Sequence, residues 1–448
     1  MPKMFLIILC FLTPLVTAFG TELSLARFIQ LAEQNDPGLK RIQQNRGRAD
    51  FIKSLGLPSD GVQLSFENQH GFGISDSEKT STIIGTISKQ FIATGTKVSA
   101  SHSRGRHPDR REDISELRVE QSLFRNLFGQ EVRLKSMSLD NEVKIIHLET
   151  MEAYENYIKG IVDLYIDFKS SYLTLNIAKN GVHEASQLFE YLKRKHRENI
   201  AVQVDVDKAE LQLLQRKEEQ LAATEAMFRV NESIKAVAGI GDYTASLKTD
   251  ELIEEPLQSD TKLSDMRFMN ILSLRREIAQ RNTEISNSSD DPSLSFIAGF
   301  NIENSDRFSS TVNRTEGVFG LKIEVPLWDS KLYAGKREAF HSLQIIQLDE
   351  QVQKQSFFKA KDEITISLKQ IKEASELSQR KIELMSRILK AEDRRFRNGR
   401  IEFDRIVELQ TLLQNSQISH QEKQLGYKKK IVEKLAIEDR LLEFVAKL

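Results

Sequence analysis

Hydrophobic and polar residues alternate along two separate stretches of this chain. In the later stretch, every second residue from Leu294 to Ile302 is apolar, and most residues between them are polar or small. The earlier stretch begins with the same alternation at 62–67. A period of two is typical of a β-strand with one apolar and one polar face. The pattern therefore predicts two groups of strands, at 62–124 and 293–328.

A long run without proline follows each group of strands. No proline lies between Pro108 and Pro256, and none follows Pro326. Because proline breaks helix interiors, long helices fit in these gaps. Mostly apolar residues recur there at alternating spacings of four and three, which indicates heptad seams between helices. The seam positions are Tyr154, Ile158, Ile161, Tyr165, Phe168, Tyr172 and Leu175, and then Ile364, Leu368, Ile371, Ser375, Ser378, Ile382, Met385 and Leu389.

Each helical run is longer than a compact domain is wide. The run from Phe124 to Asn199 covers 75 residues, and the run from Trp328 to Gly399 covers 71. At 1.5 Å per residue, each run reaches on the order of 100 Å. Asn199 and Gly399 both tolerate the left-handed conformation in which helices often end. Apolar periodicity resumes directly after them, so the sequence predicts two antiparallel helical hairpins with tips near these residues.

The two halves of the chain share this order of elements. Residues 119–124 and 323–328 are 204 positions apart and close the strand groups in similar sequence. The duplication predicts one structural unit made twice, at 19–245 and 246–448. The first copy has about 26 more residues between matching strand positions. They form an added or a lengthened hairpin, so the sequence leaves open whether residues 81–103 add strands.

The first 18 residues are typical of a secretory signal peptide. Lys3 precedes an apolar stretch from Met4 to Val16, and small residues around Ala18 fit a cleavage site. The stretch is too short to be a membrane helix. Cys10 is the only cysteine and lies inside this segment. The mature chain is therefore predicted to contain no disulfide.

Composition narrows the classes of function. The net charge of −1 provides no basic surface for nucleic acid. The eight histidines are scattered, and His102 and His107 are expected in a polar loop without further ligands at metal-binding spacing. The sequence has no glycine-rich phosphate loop and no motif around a nucleophile. We therefore predict no catalytic residues, no metal site and no cofactor.

The predicted strands cannot form a membrane pore within one chain. The pattern gives four strands or six, whereas the smallest membrane barrels have eight. Open strand edges in hydrocarbon would leave backbone groups unpaired. If these strands cross a membrane, several copies of the chain must share one barrel, with the helical hairpins packed as a tube. The predicted fold class is mainly α with a small transmembrane β part.

Five segments of the chain are similar in order and spacing to elements of one known family: 32–37, 121–129, 325–329, 199–210 and 396–410. On these segments the chain resembles the TolC family of outer-membrane efflux proteins from about Leu23 to Leu448. The resemblance implies a homotrimer with a 12-stranded β-barrel, continued by an α-helical barrel in the periplasm of a Gram-negative cell. It implies a passive exit duct for efflux or type I secretion. A periplasmic adaptor (membrane fusion) protein, an inner-membrane transporter and outer-membrane lipid are the implied partners. The five segments resemble the family's first-helix, strand-exit and tip elements.

The resemblance also assigns roles to residues near the tips. Asp205 matches the family's tip aspartate, and Phe396 matches its tip aromatic residue. Arg405 falls where the family often has an aperture aspartate, and Glu408 falls where a second acid can lie. We expect Phe396, Arg405 and Glu408 to line or brace a closed periplasmic aperture, and Asp205 to pair with a base. The alternative is that these are surface charges on a solvated helix end.

Four residues at the two turns are the expected contacts for the adaptor: Asn199, Ile200, Gly399 and Arg400. Asn199 and Arg400 depart from the family's pattern at these positions. Trp328, the only tryptophan, is aligned with Phe124 and is expected to pack at the junction of barrel and tunnel. A membrane-interface anchor is the alternative for this side chain.

Three other classes of protein compete with an export duct. A secreted or surface trimeric coiled coil with a structural or adhesive role would not need strands with alternating apolar faces. A periplasmic adaptor would have a single helical hairpin flanked by β-rich modules, whereas this chain has two hairpins of similar length. An enzyme is the least favoured class, because no catalytic motif is present.

Overall fold

The computed structural model describes residues 22–72, 79–124, 127–239, 246–247, 262–307 and 310–446. The predicted signal peptide at 1–18 lies outside the described residues. Gly241 and Pro256, which mark the predicted link between the two copies, also lie outside them.

The described elements run in the order helices, strands and long helical hairpin, and this order occurs twice. The helices are α1 Leu25–Asn35, α2 Pro37–Gly47, α3 Ala49–Gly56, α4 Gln130–Arg197, α5 Gln203–Ala238, α6 Arg267–Asn287, α7 Ser330–Arg397, α8 Phe403–Ile437 and α9 Leu441–Val445. The strands are β1 Glu22–Leu23, β2 Val62–Phe72, β3 Lys79–Phe91, β4 Thr96–Arg106, β5 Arg110–Phe124, β6 Ser246–Leu247, β7 Ser293–Arg307 and β8 Ser310–Glu324.

The chain divides into two compact units. The first unit contains the helical tips, and the second contains the strands β2–β5, β7 and β8. The first comprises Met1–Arg41, Tyr154–Asp260 and Phe357–Leu448, and the second comprises Ile42–Ala153 and Thr261–Ser356.

Local capping explains where the first helices begin. The hydroxyl of Ser24 accepts a hydrogen bond from the amide of Arg27 at 3.2 Å, which caps α1. The carboxylate of Asp36 accepts one from the amide of Gly38 at 2.7 Å. Pro37 occupies the first position of α2, where its missing N–H costs nothing. Asp36 and Pro37 therefore mark the boundary between α1 and α2.

The second unit contains a six-stranded antiparallel sheet in the order β2-β3-β4-β5-β7-β8. Residues 81–103 supply most of β3 and β4. The additional residues of the first copy are therefore an added hairpin, and its two strands are continuous with the rest of the sheet.

Strands continue further into polar segments than the sequence predicts. The polar segments 104–113 and 304–316 are largely strand, because β4, β5, β7 and β8 all extend into them. His102 therefore lies within β4, and the expectation of a loop there is wrong. Arg104 donates a hydrogen bond to Asp113 on the neighbouring strand at 2.7 Å. Cross-strand pairs of this kind stabilise a ladder without apolar residues.

From the ends of β5 and β8 onwards, the two copies are related by 200 positions, not by the 204 inferred from local similarity. The helices α4 and α7 each have 68 residues and begin at Gln130 and Ser330. Phe124 ends β5 and Glu324 ends β8, so these two residues correspond. The partner of Trp328 is Phe128, because both have a left-handed backbone, with φ of 51° and 45°.

The side chain of Trp328 is not buried within the single chain. Its exposed fraction is 97%. Trp328 lies after the end of β8 at Glu324, whereas Phe124 is the last residue of β5. The similar pairs Leu123-Phe124 and Leu327-Trp328 therefore do not occupy equivalent places.

The core of the first unit contains six of the fifteen seam residues predicted from heptad spacing: Ile158, Ile161, Tyr165, Phe168, Ile364 and Leu368. On α4, Ile158 and Phe168 are fully buried. They belong to one apolar cluster with Phe28 of α1, Ile234 of α5 and Ile431 of α8. Burying side chains of this size stabilises the fold by about 1.5–3 kcal/mol each. The seam therefore holds the hairpins of both copies together within the chain.

No helix within the described residues is both long enough and apolar enough to cross a membrane.

Candidate functional site: the helical tips and the open sheet

The two helical hairpins turn with the same backbone geometry. Asn199 has φ of 59° and Gly399 has φ of 68°. The amide of Asn199 donates to the carbonyl of His196 at 2.9 Å, and the amide of Gly399 donates to that of Phe396 at 2.8 Å. The next amide in each turn bonds to a carbonyl five residues back, at 2.9 Å in both cases. Each long helix therefore ends in a left-handed cap that satisfies its last carbonyls.

An aromatic and aliphatic cluster fills the space between the tips of the two hairpins. The ring of Phe396 lies 6.1 Å from that of Tyr191 and 6.3 Å from that of Phe403, between centroids. Phe403 and Ile406 of α8 are buried in the same cluster. Because α4, α5, α7 and α8 all contribute to it, Phe396 occupies a bracing position within a single chain.

The charges predicted at the aperture form one direct pair. The guanidinium of Arg405 donates to the carboxylate of Glu408 at 2.7 Å, one turn further along α8. Both side chains are about half exposed, with 52% and 55% of their surface accessible. The pair therefore faces solvent in the single chain, where an exposed ion pair contributes little to stability.

Asp205 lies near a base, but the direct partner of that base is another acid. The ammonium of Lys208 donates to the carboxylate of Asp404 at 2.7 Å, which joins α5 to α8. This hydrogen bond is the main reason that the pKa of Lys208 is raised, and Asp205 adds only a smaller electrostatic attraction. Sequence reasoning missed Asp404, although an acid in the first turn of a helix is a recognisable signal.

All four residues expected to contact an adaptor are exposed: Asn199, Ile200, Gly399 and Arg400. Ile200 is an apolar side chain with 68% of its surface accessible. The exposed tips also carry many bases, and cations are favourable at helix C-termini. The bases in the last turns are Arg194, Lys195, His196 and Arg197 of α4, and Arg394, Arg395 and Arg397 of α7.

A buried arginine joins the two hairpins above the tips, and no sequence pattern predicted it. The side chain of Arg216 is 5% exposed and forms an ion pair with Glu219 at 2.8 Å. It also donates to the hydroxyl of Thr411 on α8 at 2.8 Å. Gln414 of α8 donates to the same Glu219 at 3.1 Å. Heptad spacing detects apolar seam positions only, so a polar cross-link of this kind was not predictable from it.

In the second unit, the sheet presents its apolar side chains on one face. Leu64, Ile87, Ala100, Leu117 and Phe300 lie directly opposite one another in successive strands. The four larger side chains of this row are each about half exposed or more, from 46% for Leu117 to 62% for Phe300. An exposed apolar surface that continues across five strands is typical of a membrane or protein interface.

The opposite face of the sheet is mainly polar. Ser65, Ser99 and Glu116 are examples on β2, β4 and β5, and they alternate with the apolar row. The apolar exceptions on this face include Ile84, Ile114, Ile297 and Val318. Within the described part of the chain, the outer edges of β2 and β8 pair with no other strand. The sheet therefore has one apolar face, one mainly polar face and two unpaired edges.

The described residues contain no group of three or more His, Cys, Asp or Glu side chains that could hold a metal ion.

Comparison with known proteins identifies the fold. No protein-family model matches the sequence, and no curated protein matches it. Among solved structures, CusC, described as forming a transmembrane channel, is similar with a TM-score of 0.73 at 12% identity over 94% of this chain and 93% of CusC. The CmeC outer membrane channel of Campylobacter jejuni has a TM-score of 0.70 at 15% identity, over 94% of this chain and 88% of CmeC.

The open-state MtrE outer membrane channel of Neisseria gonorrhoeae is similar over 93% of this chain and 89% of MtrE, with a TM-score of 0.70 and 13% identity. The resemblance to the TolC family is therefore confirmed for the fold, because these proteins are outer-membrane channels of that family. The shared architecture is mostly helical with a small antiparallel sheet.

Proposed function

We propose that this protein is an outer-membrane channel, in which three copies close a shared β-barrel and their helical hairpins form a tunnel in the periplasm. The open sheet carries this proposal. Its exposed apolar face suits contact with lipid, and its polar face suits a water-filled lumen. The unpaired edges of β2 and β8 cannot remain open in hydrocarbon. Sister copies of the chain satisfy both edges at once.

The proposed channel is a passive exit duct for substrates that an inner-membrane transporter drives, in efflux or type I secretion. A periplasmic adaptor protein docks at the tips, where the exposed turns present basic side chains and Ile200. The predicted signal peptide directs the chain across the inner membrane. No bond is made or broken in such a duct, so the proposal requires neither a catalytic residue nor a cofactor.

Four tip residues belong to the proposal in named roles. Arg405 and Glu408 line the periplasmic aperture in the trimer, and Phe396 braces it from within the tip cluster. Asp205 contributes negative potential beside Lys208. Their positions at the ends of the long hairpins support these roles.

The apolar face of the sheet disfavours the alternative of a secreted trimeric coiled coil. A structural or adhesive trimer would expose Leu64 and Phe300 to water, which costs about 25 cal/mol for each Å² of apolar surface. A coiled coil of that kind needs no such face.

Fractionation and channel recording test the proposed function together. The full chain, with its signal sequence, is expressed in a Gram-negative host, and its outer membranes are separated from the soluble fraction. We expect an outer-membrane protein whose electrophoretic mobility changes on heating and which conducts ions in planar bilayers. A secreted protein that is fully soluble without detergent would contradict the proposal.

A further inference from the structure

We propose that the barrel of this channel has eighteen strands, because each of three copies contributes all six strands of its sheet rather than four. This inference rests on the proposed function. It replaces the 12-stranded barrel that the family resemblance implies, and it assigns the edges of β2 and β8 as the interface with a second copy of the chain. The hairpin of β3 and β4 is a part of the barrel wall.

The hairpin is bonded into the sheet along its whole length. Every residue of β4 from Thr96 to Arg106 is paired with β3 on one side and with β5 on the other. On its other side, β3 pairs with β2 along Lys79–Lys89. A hairpin folded over the sheet or into a lumen would instead leave β2 next to β5.

The hairpin also continues the apolar face at the same level. Ile87 lies between Leu64 and Ala100, and Ala100 lies opposite Leu117. One row nearer the helices, Val98 lies opposite Val119. Wall strands of a membrane barrel must carry apolar residues outwards at the depth of the hydrocarbon, and the hairpin does so in the row of Ile87 and Ala100.

The polar end of the sheet is continuous across the hairpin as well. Arg104 of β4 lies opposite Asp113 of β5 and forms an ion pair with it at 2.7 Å. Further along the same row, Asn304 of β7 lies opposite Asn313 of β8. The border between the apolar and polar regions therefore crosses both repeats and the hairpin, as it does in a single membrane-spanning wall.

The number of strands is compatible with closure. Neighbouring strands in the sheet are all antiparallel, so with six strands β2 and β8 run in opposite directions. The edge of β8 in one copy can therefore pair antiparallel with the edge of β2 in the next. The apolar face stays outside when even-numbered residues of β2 meet odd-numbered residues of β8. Leu64 then shares a face with Leu321 and Ile323 of the neighbouring copy.

A barrel of eighteen strands is wider than one of twelve. Barrel diameter grows roughly in proportion to the number of strands, so a barrel of eighteen strands is about 1.5 times as wide as one of twelve. The two helical hairpins in each copy are unchanged by the insertion. The added hairpin thus widens the part of the duct that crosses the outer membrane.

Pairs of introduced cysteines separate the possible arrangements. Cys10, in the predicted signal peptide, is the only native cysteine, so the mature chain supplies no competing thiol. Leu64→Cys is paired in turn with one second substitution: Ile87→Cys, Leu117→Cys, Leu321→Cys or Ile323→Cys. Each double variant is oxidised as the intact channel in outer membranes. Leu64→Cys with Lys322→Cys places the two thiols on opposite faces and is the control.

We expect a link within the chain between residues 64 and 87, and links between copies from residue 64 to 321 or 323 that end in a covalent trimer. Residues 64 and 117 are three strands apart, roughly 14 Å at the usual strand spacing, beyond the reach of a disulfide. A 64–117 link within the chain would overturn the eighteen-stranded barrel while leaving a shared channel. Oxidation that yields linked dimers but no linked trimer would also overturn the eighteen-stranded barrel. Absence of any link between copies would contradict the proposed function itself.

Discussion

Phe128 and Trp328 are 200 residues apart and occupy the same unusual conformation, with φ of 45° and 51°. Both precede a long helix, and both side chains are exposed, by 53% and 97%. A left-handed backbone costs a residue other than glycine about 1–2 kcal/mol. Two aromatic residues held in this way at the base of the sheet match the aromatic belts that anchor proteins at membrane interfaces.

The fluorescence of Trp328 should therefore respond to lipid. It is the only tryptophan of the chain, so its emission is unambiguous. In reconstituted bilayers, we expect quenching by lipids brominated near the headgroup and weaker quenching by lipids brominated at the chain end. Trp328→Phe combined with Phe128→Trp is the matched control from the other repeat, and it should show the same depth. Emission that is unaffected by brominated lipid would exclude the anchor.

The Arg405–Glu408 pair should affect conductance more than stability. The pair is exposed, so its loss costs less than about 1 kcal/mol. If three copies bring it to the aperture, then Arg405→Ala with Glu408→Ala removes charges and bulk there. We expect a higher single-channel conductance with an unchanged melting temperature.

Arg380 and Glu383 form the matched control for that prediction. They are also one turn apart, at 3.0 Å, with 65% and 47% of their surfaces exposed, and they lie within α7 away from its tip. Replacing both by Ala should leave conductance unchanged. Equal conductance in the two double variants would show that Arg405 and Glu408 do not form the aperture.

Two left-handed glycines should differ in their tolerance of a side chain. A Cβ at Gly399 would meet nothing within 4 Å, so Gly399→Ala should cost only the backbone strain of about 1–2 kcal/mol. A Cβ at Gly239 would lie 2.6 Å from the Cβ of Asn35. Asn35 cannot easily move, because its amide donates to the carbonyl of Ala238 at 2.7 Å. Thermal unfolding in detergent should therefore show a larger loss for Gly239→Ala, and equal losses would contradict this packing.

Glu184 should make stability depend on pH. Burial raises the pKa of its carboxyl group, and Arg216 only partly offsets this. Because the folded pKa lies above the unfolded value, the contribution of Glu184 to stability is complete below the unfolded pKa. That contribution is lost as the pH rises through the folded pKa.

Glu184→Gln should remove this loss, so its melting temperature should exceed that of the unaltered chain at neutral pH, and the difference should shrink in acid. Glu210→Gln, on an exposed part of α5, controls for the removal of one negative charge. A lower melting temperature for Glu184→Gln at neutral pH would show that attraction to Arg216 outweighs burial.

The strands and part of the helical core could be predicted from the periodicity of the sequence. The alternation of apolar and polar residues predicted the strands, and the heptad spacing predicted Ile158 and Phe168, which are buried. Asn199 and Gly399 were recognisable because few residue types tolerate a left-handed backbone. These features are local in the sequence, so one sequence is enough to predict them.

The features that the sequence did not reveal depend on contacts between distant residues. The partner of Lys208 is Asp404, 196 positions away, and no spacing rule links them. The offset between the two copies was predicted as 204 because the Leu-Phe and Leu-Trp pairs resemble each other. The first residues of α4 and α7 give an offset of 200. His102 was expected in a loop but lies in β4, because backbone pairing continues through polar residues.

The mass of the assembly released from outer membranes shows whether several chains share one barrel. One chain cannot close its own sheet in lipid, so the unit that leaves the membrane in mild detergent must contain several copies. Native mass spectrometry should give three chains and no stable single chain. A single folded chain that stays monodisperse in buffer without detergent would contradict the shared barrel.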